Sequence, residues 1–179
     1  MTTPSFSLSL SAFRERPLMA VAATLTIAVR LFMALFYIAA GINKLRNAWA
    51  WSDYLEGVFK DRLAELIATG AQTYGPFYLN NIAIPYLKYF AIPMYLPVGI
   101  AVTAIEIGAG LGFLLGFGTR LSGWLALFLM GNFALGGYYD ASLLPLCAMA
   151  LLIAVTPSGR WFGFDRRYAA KYPNAIWFK

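Results

Sequence analysis

The chain contains no histidine and a single cysteine, Cys147. Without histidine, a His-ligated haem and the usual zinc and copper centres are excluded within this chain. One thiol cannot close an internal disulfide, and an iron–sulfur cluster takes four. No metal or haem ligated by this chain is therefore expected. Charge is scarce too. Only 12% of the 179 residues are charged, about half the share in soluble domains. Basic residues outnumber acidic ones by 14 to 8, yet they form no stripe of the kind that tracks a nucleic-acid backbone. They fall between apolar runs and near the ends, a distribution suited to anionic lipid headgroups. Nucleic acid is not an expected partner; the lipid bilayer is. No phosphate-binding glycine loop, metal motif or catalytic triad appears, and there is no internal repeat.

What the chain has is apolar length. Hydrophobic residues make up 60% and aromatics 17%. Four runs stand out, at about 18–42, 93–117, 121–139 and 141–157. Crossing the hydrocarbon core takes about 20 apolar residues. The last two runs sit near the lower limit, with Gly136, Gly137 and Asp140 marking a turn between them. The expected fold is all-α: a four-helix transmembrane bundle forming one integral membrane domain over 1–179. The first run is too long for a signal-peptide core and is read as a retained span. The positive-inside rule groups Arg14, Arg16, Arg120, Arg160, Arg166, Arg167, Lys171 and Lys179 on the cytoplasmic side. It predicts a multi-pass protein of the inner (cytoplasmic) membrane with both termini in the cytoplasm. The loop 43–92 is then extracytoplasmic and the tail 158–179 cytoplasmic. Within that loop, apolar residues recur at helical spacing over 51–69, which predicts an amphipathic interfacial helix or a helix packed on its own protein. Gly70 and several prolines, Pro76 among them, punctuate the rest of the loop, with a second short interfacial or re-entrant piece expected at 78–90.

Two residues interrupt the longest runs. Arg30 lies inside the first and Glu106 inside the second. A lone charge at the bilayer centre costs about 2.5–3.5 kcal/mol on insertion scales. Counted from the cytoplasmic ends of their runs, both lie roughly 17 Å deep at 1.5 Å per residue. The expectation is that they meet face to face, either as a polar site for a substrate headgroup or proton or as a salt bridge that pairs the helices. Arg30, Ala34, Tyr37, Gly41 and Lys44 share one face of the first run, with Lys44 placed as a cation at the outer end or as a snorkelling lysine. Gly108, Gly112 and Gly116 form a small-xxx-small stripe that predicts close helix packing. Asn132 is expected to hydrogen-bond across helices. Trp49, Trp51, Trp124, Trp161 and Trp177 read as interface anchors, and Cys147 as a small buried hydrophobe.

The run Glu106-Ile107-Gly108-Ala109-Gly110, the stretch Leu114-Leu115-Gly116-Phe117-Gly118-Thr119-Arg120-Leu121, Arg30 with Gly41 and Lys44-Leu45, and the pair Asn132-Phe133 carry a resemblance. From about Arg30 to Pro157 the chain resembles the DoxX/DoxD superfamily of small four-helix membrane proteins. Its long first loop is most similar to the DoxD-type small subunit of thiosulfate:quinone oxidoreductase. The resemblance implies a membrane subunit that couples thiosulfate oxidation on the outer side to quinone reduction, with a DoxA-like partner. It implies Arg30 and Glu106 as catalytic residues, and Arg30, Tyr37, Glu106 and Asn132 around a quinone. Lys44 and Arg46, with Lys88 nearby, would gather the thiosulfate dianion. The alternative is a non-catalytic accessory subunit of a larger respiratory or photosynthetic membrane complex.

Overall fold

A computed structural model describes residues 8–69, 73–74, 77–78, 80–172 and 174–178. Gly70, Pro76 and Lys179, which figure in the sequence reading, lie outside them. The chain is almost entirely helical. A short α1 (Leu10–Glu15), capped by the Ser9 hydroxyl, leads into the 30-residue α2 (Pro17–Arg46), whose first position is a proline suited to a helix start. After a turn come α3 (Tyr54–Thr69), a hairpin of two-residue strands (Thr73–Tyr74 with Phe77–Tyr78), and α4 (Asn80–Tyr86), which runs on as a π-helical turn, Leu87–Ala91. The remaining helices are α5 (Tyr95–Leu115), α6 (Thr119–Leu135), α7 (Leu143–Val155), α8 (Ser158–Trp161) and α9 (Asp165–Lys171).

Two of these helices, α2 and α5, are long and apolar enough to cross a membrane. At 17 and 13 residues, α6 and α7 fall short of the about 20 residues that a full crossing takes. All four nonetheless share one core. Met33, Ala34 and Tyr37 of α2 meet Val102, Ala109 and Phe113 of α5, Leu129 and Met130 of α6, and Ala150 and Ile153 of α7. Gly136 and Gly137 do form the turn between α6 and α7, with Gly137 at φ +78°. Asp140 secures it by accepting from the Ser142 amide at 2.7 Å and from its hydroxyl. These bonds hold the exposed Asp140 carboxyl below its usual range.

The amphipathic stretch becomes α3, and its apolar face packs on its own protein. Leu55, Phe59 and Leu66 join Ala83, Leu87 and Ala91 in a second core, linked to the first through Trp49 and Val98. Arg62, on the same face of α3, ties the helix to the α6–α7 turn by donating to the Gly137 carbonyl, and it also pairs with Glu65.

The close approach of α2 and α5 does not use the predicted glycine stripe. A Cβ at Gly108 would meet nothing, and Gly116 ends the helix in the left-handed conformation at φ +65°. The seam lies at Gly41 and Gly110. A Cβ at Gly41 would stand 2.6 Å from Ile107 Cγ1, and one at Gly110 would stand 3.0 Å from the Ile38 backbone nitrogen. Within the stripe the packing role falls on Gly112, whose added Cβ would collide with Ser122 of α6, so it serves the α5–α6 contact and not the α2 seam. Gly110→Ala should therefore lower stability by about 1–3 kcal/mol through overpacking. Gly108→Ala should be neutral or stabilising by up to about 1 kcal/mol. Unfolding of both variants in one detergent checks the contrast.

Candidate functional site

The register set at Gly41 and Gly110 decides which charges meet. Glu106 stands level with Gly41, because a Cβ at Gly41 would lie 3.4 Å from Glu106 Cβ. Arg30 stands level with Gly116, whose added Cβ would lie 3.2 Å from Arg30 Nη1. Gly41 is eleven residues beyond Arg30, about 17 Å along the helix. Arg30 and Glu106 therefore do not face each other. The expected pairing assumed that both runs begin at one boundary, but α2 is nine residues longer than α5 and its first half extends past the end of α5.

Glu106 pairs instead with Lys44, Nζ to Oε1 at 2.6 Å, both side chains buried. Helical side chains lean toward their own N-terminus, so a lysine one turn past Gly41 reaches back to the level of Glu106. The ammonium also lies 4.8 Å from the Trp49 ring centre and 5.6 Å from that of Phe133. Lys44 is thus neither an outer-surface cation nor a snorkelling one: a buried carboxylate demands a counter-charge more strongly than solvent attracts the ammonium. Trp49, read as an interface anchor, is half-buried beneath it. Arg46 is exposed. The shared face of α2 is present as read, since Arg30, Ala34, Tyr37, Gly41 and Lys44 are all buried.

Arg30 belongs to a second polar centre. It is fully buried and donates from Nη1 to the Ser158 carbonyl at 2.8 Å. Asp165 lies within electrostatic reach. That carboxylate accepts from the Gly118 amide at 2.6 Å, the Thr119 amide at 3.1 Å and the Thr119 hydroxyl at 2.9 Å, supplying the cap that α6 lacks locally. A Cβ on Gly159 would collide with Asp165, and one on Gly163 would stand 2.6 Å from Gly116 Cα. Arg30 and Asp165 together fasten 158–171 to the α5–α6 turn. The sequence held one signal for this: Asp165 is the only acidic residue in 158–179.

Beside the Lys44–Glu106 pair lies a cavity of about 340 Å³. Its walls include Phe36, Tyr37 and Phe133 from the bundle and Trp49 and Phe59 from the loop side, with Glu106 among them. Polar groups are few. Tyr37 donates to the Ala126 carbonyl at 3.2 Å and meets Phe113 edge-on. Asn132 does bond across helices, accepting from the Tyr86 hydroxyl at 3.1 Å while donating to Phe128 O within α6 at 2.8 Å. Among the described residues, Glu106 Oε2 and the Tyr138 hydroxyl have no hydrogen-bond partner. The Arg62 guanidinium lies 5.5 Å from the Tyr138 ring centre. Glu106, Tyr37 and Asn132 share this cavity wall, while Arg30 is not on it. Tyr86 and Tyr138 escape the sequence reading: Tyr86 ends the short α4 where the helix passes into its π-helical turn, and Tyr138 lies in the α6–α7 turn. Cys147 is half-buried, its thiol 3.5 Å from Met130 Sδ. Among the described residues, no three His, Cys, Asp or Glu side chains are grouped to hold a metal ion.

Lys44→Met strands the Glu106 carboxylate in the interior and should cost about 3–5 kcal/mol of stability, whereas Lys44→Met with Glu106→Leu should recover most of the loss. Equilibrium unfolding of the single and double variants measures the difference. Set against protein-family models, curated proteins and solved structures, the chain gives no match to any.

Proposed function

We propose that this chain is a four-span membrane subunit of a quinone-linked oxidoreductase of the DoxX/DoxD type, lying in the inner membrane with both termini cytoplasmic. Two helices of sufficient length and the shared core of α2, α5, α6 and α7 support the membrane bundle. So do the exposed Leu25, Phe32, Leu35, Ile100, Leu111 and Phe128, since water-soluble proteins rarely expose apolar surface on that scale.

One observation carries the quinone reading: an aromatic-walled cavity adjoins a buried ion pair that leaves one carboxylate oxygen unused. The volume falls at the low end of the range of about 300–1,000 Å³ for small-molecule sites, enough for a ring with its isoprenoid tail directed outward. The residues present fit such a group. Phe36 and Phe133 would flank the ring, and Glu106 and Tyr138 would meet its oxygens. A quinone, when bound, accepts two electrons and two protons. Lys44 holds Glu106 through Oε1, which leaves Oε2 free to hold or pass a proton. Tyr37, tied to the α6 backbone, shapes the wall and keeps its own proton engaged. Arg30, at the other end of α2, serves to fasten the tail. Thiosulfate, the substrate that the resemblance implies, would be drawn by the exposed Arg46 and Lys88 at the cavity end of the bundle, with a DoxA-like subunit completing the enzyme.

The accessory-subunit reading draws support from the packing contacts of the buried cations: Lys44 on Glu106, Trp49 and Phe133, and Arg30 through Nη1 on the Ser158 carbonyl. Quinone content separates the two readings. Gentle purification and then solvent extraction should recover quinone close to one per chain. Val102→Phe, which narrows the cavity, should lower that several-fold in protein that still melts cooperatively. Quinone absent from the unmodified chain would leave the accessory reading standing.

A further inference from the structure

The unused oxygen of Glu106 bears on which form of ligand the cavity takes. An ionised carboxylate only accepts hydrogen bonds, whereas a hydroxyl can donate one. Oε1 is occupied by the Lys44 ammonium, and Oε2 is buried with no partner among the described residues. A buried acceptor left unmatched is costly, so a ligand gains by bringing a donor to it. The carbonyl oxygens of a quinone are acceptors and would set oxygen against oxygen there. The hydroxyls of the corresponding hydroquinone are donors.

The Trp49 indole N–H and the second amide proton of Asn132 are neutral donors on the wall that suit a carbonyl, but a hydrogen bond to the charged Glu106 is the stronger. The Asn132 amide is otherwise engaged, Nδ2 on Phe128 O and Oδ1 by Tyr86. The Tyr37 proton is directed to Ala126 O. The Lys44 ammonium is not on the wall; it lies 4.8 Å from the Trp49 ring centre and 5.6 Å from that of Phe133. Asp140, which is on the wall, is a second acceptor. The Tyr138 hydroxyl can donate or accept and therefore does not discriminate.

We infer that the cavity selects a ring ligand by its hydroxyl donor, with Glu106 as the specificity-determining residue, so that it holds a hydroquinone in preference to the matching quinone. This rests on the quinone reading of the cavity and adds to it: the resting site favours the reduced form, and oxidised quinone must displace it.

Calorimetric titration of the chain in lipid nanodiscs tests the inference. It is run without oxygen and corrected for partitioning into empty discs. The probes are a short-tailed hydroquinone, its quinone, and the dimethyl ether of the hydroquinone, which keeps the shape without the donors. A hydrogen bond to a charged acceptor corresponds to about a 10- to 100-fold difference in Kd. The hydroquinone should bind tighter than the quinone by that factor, with the ether as weak as the quinone. Glu106→Gln, whose amide can present a donor, should close the gap. The ether comparison stands even if that variant does not fold. A quinone or ether that binds as tightly as the hydroquinone overturns the inference and leaves the quinone site intact. No saturable binding of any probe overturns the site itself, and the inference with it.

Discussion

Lys44 and Glu106 are almost sealed from solvent, and either charge alone in such surroundings would destabilise the fold by several kcal/mol. Their contact can form only when α2 and α5 lie in one register, with Gly41 against Ile107 and Gly110 against Ile38. The glycines let the two backbones approach, and the ion pair penalises any slip along the axis. A shift of one helical turn would separate ammonium and carboxylate by about 5 Å while driving side chains into the glycine seats. The cavity depends on the same contact, since its wall includes Glu106 and the two rings that enclose Lys44.

Arg30 shows a different solution to the same electrostatic problem. Its guanidinium reaches a backbone carbonyl at the start of α8, while the nearest balancing charge, Asp165, is engaged in capping α6. One carboxylate thus orders the α5–α6 turn and offsets a buried cation. The glycines at 116, 159 and 163 leave room for the chain to fold back over that turn. The segment 158–171, read from sequence as a cytoplasmic tail, is built into the end of the helix assembly.

Much of this was legible because it is periodic. The apolar runs at 18–42, 93–117, 121–139 and 141–157 correspond to α2, α5, α6 and α7, and the face from Arg30 to Lys44 is buried as a unit. Asn132, a polar residue in an apolar run, makes the interhelical bond that its setting predicts. Pairing was not legible. Depth counted from the ends of two runs assumes equal lengths and a common boundary, and α2 overhangs α5. The glycine stripe at 108, 112 and 116 has the right spacing but divides among neighbours: Gly112 seats Ser122 of α6, Gly116 lies beside Arg30 and Gly163, and Gly108 meets nothing. Tyr138 reaches the cavity from a turn, where residue spacing carries no direction, and Tyr86 from the end of α4, where the change to a π-helical turn breaks the 3.6-residue spacing.

The two readings of function draw on one geometry. As a quinone-linked subunit, the chain uses the ion pair to position an acceptor at an aromatic cavity; as an accessory subunit, it uses the same pair to fix helix register. Both require that Glu106 belong to Lys44. Solid-state NMR of the chain in bilayers, with ¹⁵N in the lysine and arginine side chains and ¹³C in the glutamate carboxyls, measures this directly. Strong dipolar coupling between Lys44 Nζ and the Glu106 carboxyl carbon, corresponding to a direct contact within about 4 Å, is the predicted result. Coupling of that carbon to the Arg30 guanidinium instead would contradict the register, the cavity wall and the account built on them.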